Sequence, residues 1–463
     1  MKRTVSSLRA PTRRTASGFA TQEKSRARCA PLAAPLAAPL AVPLAAFLVL
    51  TLGGCGKQDT LAGTRPPPND TEIARGEYLA KAGDCAACHD AANHAPYAGG
   101  LAVNSPFGPI YASNVTPDPV HGIGRYTLKQ FADALRRGVS PKSGHLYPAM
   151  PYPSFASLND ADVTALYQYF EYRVKPVANA VQPTHLPFPF NQRWTLAMWR
   201  TVFSRHERFT PDAQRSPLWN RGAYLVQGLG HCGACHTPRG PAYNELGYDE
   251  HSPAYLTGGI LDHWFAPNLS GDPASGLGRW SADDIATFLR HGHNARSFAF
   301  GAMAPVVGES TRYLSDSDLD AIATYLKSLP PHRASGQYTD SDAARAATGQ
   351  SLATGFPERP GAGVYLAFCA HCHGADGQGT PDKASALAGS ALALSRDPTS
   401  ALRIIVEGSE SPGDPPRKMP GFRGKLTDAE IAQVLSFVRG AWGNGATPVS
   451  TAEVTRLRDA IHR

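Results

Sequence analysis

"GDCAACHD", Gly83–Asp90, carries more structural information than any other stretch of this chain. Two cysteines stand three apart, with a histidine directly after the second. The pattern returns as "GHCGACHT" (Cys232, Cys235, His236) and as "FCAHCHG" (Cys369, Cys372, His373). C-x-x-C-H is the attachment signature of c-type haem. Its two thiols add to porphyrin vinyl groups, and the adjacent histidine ligates the iron from one face. A structural zinc site needs four protein ligands in a closed shell. Three C-x-x-C pairs do not divide into such sites, and zinc gives no reason for a histidine after each pair. A thioredoxin-like motif would want a βαβ setting, for which the sequence gives no sign. The cofactor expected is therefore three covalently bound haem c, attached at Cys85, Cys88, Cys232, Cys235, Cys369 and Cys372, with His89, His236 and His373 on the irons.

Working outward, each motif sits in the same place of a repeated unit. A helix-like approach precedes it: "RGEYLAKAGDCAACH" from Arg75, "RGAYLVQGLGHCGACH" from Arg221 and "GAGVYLAFCAHCH" from Gly361. In the first two copies a turn rich in Asp, Pro and Gly leads to a capping box, Thr127 with Gln130 and, more weakly, Ser281 with Asp284. The helix after each stops at Gly138 or Gly292. All three copies close on one pattern, with N-caps Asn159, Ser315 and Thr427 and an acid three residues on. Apolar residues then recur at i, i+3 and i+7: Val163, Leu166, Phe170; Leu319, Ile322, Leu326; Ile431, Val434, Val438. Strand-like alternation is missing. The fold class expected is all-α, three tandem cytochrome c-type domains, each wrapped around a haem. Domains this small and rich in Gly and Pro would bury too little apolar surface without it.

Three of the five methionines occupy one place in each copy, between the motif and the closing helix. Met150, Met303 and Met419 follow their histidines by 61, 67 and 46 residues, each with a proline one or two residues later. A thioether is a soft, neutral donor, so these are the expected sixth iron ligands. His145, His231, His291, His293 and His371 are competitors, read as surface or supporting residues. With His/Met ligation throughout, no iron keeps an open position, and the function reduces to passing single electrons. Catalytic residues are then expected to be none.

The domain reading is an export signal at 1–54, linker 55–72, first domain 73–175, a linker with a Trp-rich helix at 176–219, second domain 220–330, linker 331–358, third domain 359–445 and a C-terminal helix at 446–463. "RWTLAMWRTVF" (Arg193–Phe203), Met198 included, reads first as packing between domains, with docking to a partner or membrane surface as the alternative. The C-terminal helix, opened by Ser450 and Glu453, reads as docked on the body or on a partner. Residues 331–358 are polar and Ala/Ser-rich, which suggests a flexible linker.

The formal net charge of +7 lies wholly in residues 1–54; the rest carries 37 basic and 37 acidic side chains. A neutral body argues against a nucleic-acid partner. The leader is basic and then uncharged from Ala30 to Gly54, the order of an export signal. "LGGC" at Leu52–Cys55 resembles a bacterial lipobox, which would lipidate Cys55; a cleaved signal or a retained anchor are the alternatives. Each places the body outside the cytoplasm.

The segments "GEYLAKAGDCAACH", "PFGPIYASNVTPD", "GHLYPAMPYPSF", "NRGAYLVQGLGHCGACHTPRG" and "YLSDSDLDAIATYLKSL" resemble the tri-haem cytochrome c subunits of bacterial membrane-bound dehydrogenases. The resemblance runs from about Thr71 to the tail. It implies a separate quinoprotein or flavoprotein catalytic subunit that oxidises an alcohol, aldehyde or sugar acid. Electrons would pass through the three haems to ubiquinone, on the periplasmic side of the cell membrane. The chain would be held there by lipid or by association. The alternatives are a free-standing periplasmic carrier to a terminal oxidase or reductase, and a peroxidase-like haem enzyme.

Overall fold

The computed structural model describes residue 61 and residues 63–461, apart from 333–335, 355–358, 381–383 and 414–415. The leader and Cys55 lie outside the described residues. The described chain is helical, and its strands form only five short two-stranded pairs. The approach helices span Asp70–Ala82, Pro217–Tyr224 and Ala362–Phe368, and the closing helices Asp160–Tyr172, Asp316–Ser328 and Asp428–Gly440. Each closing helix starts where its cap dictates. The side chains of Asn159, Ser315 and Thr427 accept from the backbone N–H of Asp162, Asp318 and Glu430. Both capping boxes of the middle helices form, and Gly138 (φ 59°) and Gly292 (φ 75°) end them in the left-handed region.

In the first two copies the approach helix crosses the closing helix at a glycine, and in the third the glycine that caps the approach helix makes the same contact. A Cβ on Gly76, Gly222 or Gly361 would stand 2.0, 1.9 or 2.1 Å from the carbonyl oxygen of Ala165, Ala321 or Gln433. Backbone meets backbone at these crossings, which fixes the register of the two helices. The crossing glycine precedes the first cysteine by nine, ten and eight residues in the three copies. In the second copy the extra residue is taken up by a π-helical turn over Leu225–Leu229.

The first two copies share one continuous core, containing Leu79, Phe131 and Leu166 as well as Leu225, Leu229 and Leu319. They are joined by an exchange with approximate two-fold symmetry. Tyr78 of the first copy donates to Asp318 Oδ2 at 2.6 Å, and Tyr224 of the second donates to Asp162. Each aspartate is also gripped by its own copy's arginine: Arg75 on Asp162, and Arg221 on Asp318 through two bonds of 2.8 Å. The third copy has its own cores, around Ile431 and Leu435 and around Tyr365 and Trp442.

Burial alone would raise the Asp318 carboxyl, but the hydrogen bonds from Arg221 and Tyr78 and the Arg221 charge hold it below the usual range. A depressed folded pKa gives stability that is present above the unfolded value and lost as pH falls through the folded one. Asp318→Asn is expected to lower stability by about 2 kcal/mol at neutral pH, since the Arg221 end of the pair is partly solvated. Thermal unfolding followed from neutral to acid pH should show the gap to wild type closing as the wild-type carboxylate protonates.

Two expectations about the segments outside the motifs are revised, and the expectation of a docked C-terminal helix is narrowed to the body. The stretch read as a flexible linker at 331–358 carries a helix, Asp342–Ala353, and a strand, Gln337–Tyr338, paired with Asn444–Gly445. Its alanines are strong helix formers once Ser341 caps them, and Leu352 joins the third copy's core. The Trp-rich segment does form a helix, Thr195–Phe203, but it is not simply buried between domains. Trp199 faces inward, donating to Ala242 O at 2.8 Å. Trp194, Met198 and Val202, four residues apart along the other face, are 65%, 66% and 71% exposed. The C-terminal helix, Thr451–Ala460, docks on the body: Val454 and Leu457 are buried against the closing helix of the third copy.

Candidate functional site

Each motif forms one short helical turn, Cys85–His89, Gly233–His236 and Ala370–His373. The histidine stands four residues after the first cysteine, so in each turn both side chains leave the helix on one face. All six cysteines are free thiols and half-buried. Burial pushes Cys85 and Cys232 up to about 12, and Cys88, Cys235 and Cys369 to about 11. They stand as neutral thiols, the form that adds across a vinyl group.

The three histidines are oriented alike. Nδ1–H of His89 donates to Ser113 O at 2.7 Å, that of His236 to Pro267 O at 2.7 Å and that of His373 to Ser385 O at 3.1 Å. Burial lowers the pKa of all three, so each ring is neutral, with Nδ1 as the protonated nitrogen and the lone pair on Nε2. In the first two copies the carbonyl's segment is itself held by an asparagine side chain. Asn114 takes the N–H and hydroxyl of Thr116 on its Oδ1 and donates to Val177 O, while Asn268 takes Ser270 N–H and donates to His332 O. The sequence reading saw these segments only as turns; their work is to aim a carbonyl at the histidine.

Met150 packs against the core of the first two copies and Met419 against that of the third. Met303 opens a short turn, Met303–Pro305, and is half-buried. Met419 lies on the strand Lys418–Pro420, paired with Gly408–Glu410. Met198 faces solvent. Among the competing histidines, His231 is held within the interface of the first two copies, where its Nε2 donates to Gly83 O at 3.3 Å. His145 lies 3.5 Å from Arg200, and the rings of His291 and His293 are 6.5 Å apart.

Gly83 lies two residues before Cys85, and His231 directly precedes Cys232, so the first two motifs abut across the shared core. Neither His231 nor the Tyr78/Asp318 and Tyr224/Asp162 exchange was legible as an interface, because no local pattern marks a residue that bonds across copies. Among the described residues, no three His, Cys, Asp or Glu side chains converge as a metal site. Paired free thiols and a neutral histidine with Nδ1 engaged are instead a donor set that fits a covalently attached iron porphyrin.

Comparison with known proteins extends this chemistry to nearly the whole chain. A cytochrome c family model matches residues 220–330 and 359–442. The cytochrome c subunit of a quinone-type alcohol dehydrogenase from Gluconacetobacter polyoxogenes is 45% identical over 414 residues, 86% of this chain and 87% of that one. The gluconate 2-dehydrogenase cytochrome c subunit of Pantoea cypripedii is 45% identical over 405 residues, covering 84% and 90%. The fructose dehydrogenase cytochrome subunit of Gluconobacter japonicus is 39% identical over 418 residues, covering 85% of each.

Proposed function

Because the chain belongs to the family of dehydrogenase cytochrome c subunits, we propose that it is the electron-transfer subunit of a membrane-associated dehydrogenase. A separate quinoprotein or flavoprotein subunit oxidises an alcohol, aldehyde or sugar acid, and this chain delivers the electrons to ubiquinone on the periplasmic side of the cell membrane. The chain is not catalytic by itself. The observation that carries the reading is the threefold recurrence of one site, with paired thiols and an Nδ1-anchored histidine, in a chain aligned along most of its relatives' length.

Three haem c groups are held at Cys85 and Cys88, Cys232 and Cys235, and Cys369 and Cys372. His89, His236 and His373 would each supply one iron ligand, and Met150, Met303 and Met419 the other. Haem c supplies a one-electron Fe(III)/Fe(II) couple. The side chains do the rest. The backbone carbonyls fix each histidine as the Nδ1–H tautomer, and a Met ligand raises the potential relative to stronger donors. Among the described residues no helix is long and apolar enough to cross a membrane. Residues 1–60 lie outside the described ones, and attachment in this reading is by a lipid on Cys55 or by association, for which the exposed face of Trp194, Met198 and Val202 is suited.

The test is to purify tagged chain from gently solubilised native membranes and identify what comes with it. A flavin- or quinone-cofactor dehydrogenase is expected, in a complex that reduces a ubiquinone analogue when given that enzyme's substrate. Recovery of the cytochrome alone, or with a terminal oxidase, would replace this reading with a free-standing carrier.

A further inference from the structure

Between the second motif and the turn that follows it the chain takes a detour. Gly99 N–H donates to His89 O at 2.6 Å, and Gly258 N–H donates to His236 O at 2.7 Å, so these are equivalent points. The first copy covers the distance in ten residues and the second in twenty-two. The longer loop brings Glu245 inside. It is 6% exposed, and its Oε2 would lie 2.8 Å from a Cβ on Gly233, between Cys232 and Cys235. Among the described residues that oxygen has no hydrogen-bond partner.

The neighbouring cations do not satisfy it. Arg239 comes no closer than 3.9 Å, too far for a hydrogen bond, and donates instead to the carbonyls of Ala234 and Tyr243. Arg205 is engaged with Asp249, Tyr248 O and Gln227. The other titratable groups facing the carboxyl are the phenols of Tyr248 and Tyr255, both raised by burial and so neutral, and the thiol of Cys235, which haem attachment consumes. A buried ionised oxygen with no donor is costly, and a proton removes the cost.

We propose that Glu245 is a redox-linked proton site serving the haem held by Cys232, Cys235 and His236. This rests on the reading of the chain as an electron-transfer subunit. When that iron goes from Fe(III) to Fe(II), by an electron from the dehydrogenase, the Glu245 carboxylate takes one proton from solvent and becomes the acid. On reoxidation the electron leaves and the proton returns to solvent, so the charge beside the motif is the same in both states. Burial raises Glu245 to about 7, against the opposing pull of Arg239 and Arg205, so the exchange falls at physiological pH.

Reduction adds negative charge, so the reduced form holds the proton more tightly. Raising the pH therefore favours the oxidised form, and the potential falls. Spectroelectrochemical titration of the full-length holoprotein at pH values on both sides of 7 should show one of three potentials falling and then levelling. In Glu245→Gln that potential should become flat with pH while the other two keep their profiles. Redox-difference infrared spectra of the wild type give a second readout that needs no variant: a protonated-carboxyl band should appear on reduction. An unchanged slope in E245Q, or no slope and no band in the wild type, overturns the proposal. Haem content is scored separately: fewer than three haems in the wild type would refute the underlying reading instead.

Discussion

Replacing Cys232 and Cys235 together by alanine is expected to lower the covalent haem content from three per chain to two and to unfold more than the second copy. Alanine is chosen because it removes the bonding atoms without leaving a buried polar group. The second copy supplies Leu225, Leu229, Leu256 and Leu319 to a core that also holds Leu79, Phe131 and Leu166 of the first. Loss of the haem from one therefore removes support from both, and the exchange through Tyr78, Asp318, Tyr224 and Asp162 loosens with it. The same double change at Cys369 and Cys372 should be local, because the third copy is built on its own cores. The measurement is pyridine haemochrome content together with the thermal unfolding profile of each variant. Equal damage from the two variants, or three haems remaining in either, would contradict this account. Electron delivery to a ubiquinone analogue should fall to near background in the C232A/C235A protein.

The second large effect is expected from one methyl group. In Gly222→Ala the new Cβ would stand 1.9 Å from the carbonyl oxygen of Ala321 and 2.8 Å from Cβ of Tyr325. Neither is the far end of a flexible side chain, so the approach and closing helices must separate. Overpacking of this kind costs about 3 kcal/mol, and more if the helices cannot shift without moving the motif. Gly363→Ala is the matched control. It lies within the helix Ala362–Phe368 with nothing within 4 Å of its would-be Cβ, so alanine there should be neutral or stabilising by up to about 1 kcal/mol. Denaturant unfolding of the two variants against wild type checks the pair. A G222A protein as stable as wild type would mean that the crossing is looser than backbone contact requires.

Glycines 76, 222 and 361 illustrate what was and was not legible. Their place in the repeated approach segments was visible, but read only as part of a helix. Their role as crossing points needs the opposing carbonyl, which lies 72 to 99 residues away in sequence. Asp162 and Asp318 are similar. Each was legible as the acid three residues after an N-cap, and each does lie in the first turn of its helix. Their second task, receiving a tyrosine from the other copy, depends on how two copies pack. The segment at 331–358 went the other way, since a composition suited to a linker becomes a helix when a cap and one buried leucine, Leu352, give it a surface to lie on.

What was legible from residue order is what acts at short range. Motif spacing, caps, glycine stops and the i, i+3, i+7 stripe all act within a few residues, so the repeated unit and its helices could be read directly. Only the tertiary structure decided which carbonyl anchors each histidine, that two copies fuse through a reciprocal tyrosine–aspartate exchange while the third keeps its own cores, that the Trp-rich helix leaves one apolar face open, and that Glu245 is buried without a partner beside the second motif. Those features depend on desolvation and on contacts between residues far apart in the chain, and neither quantity exists until the copies have packed.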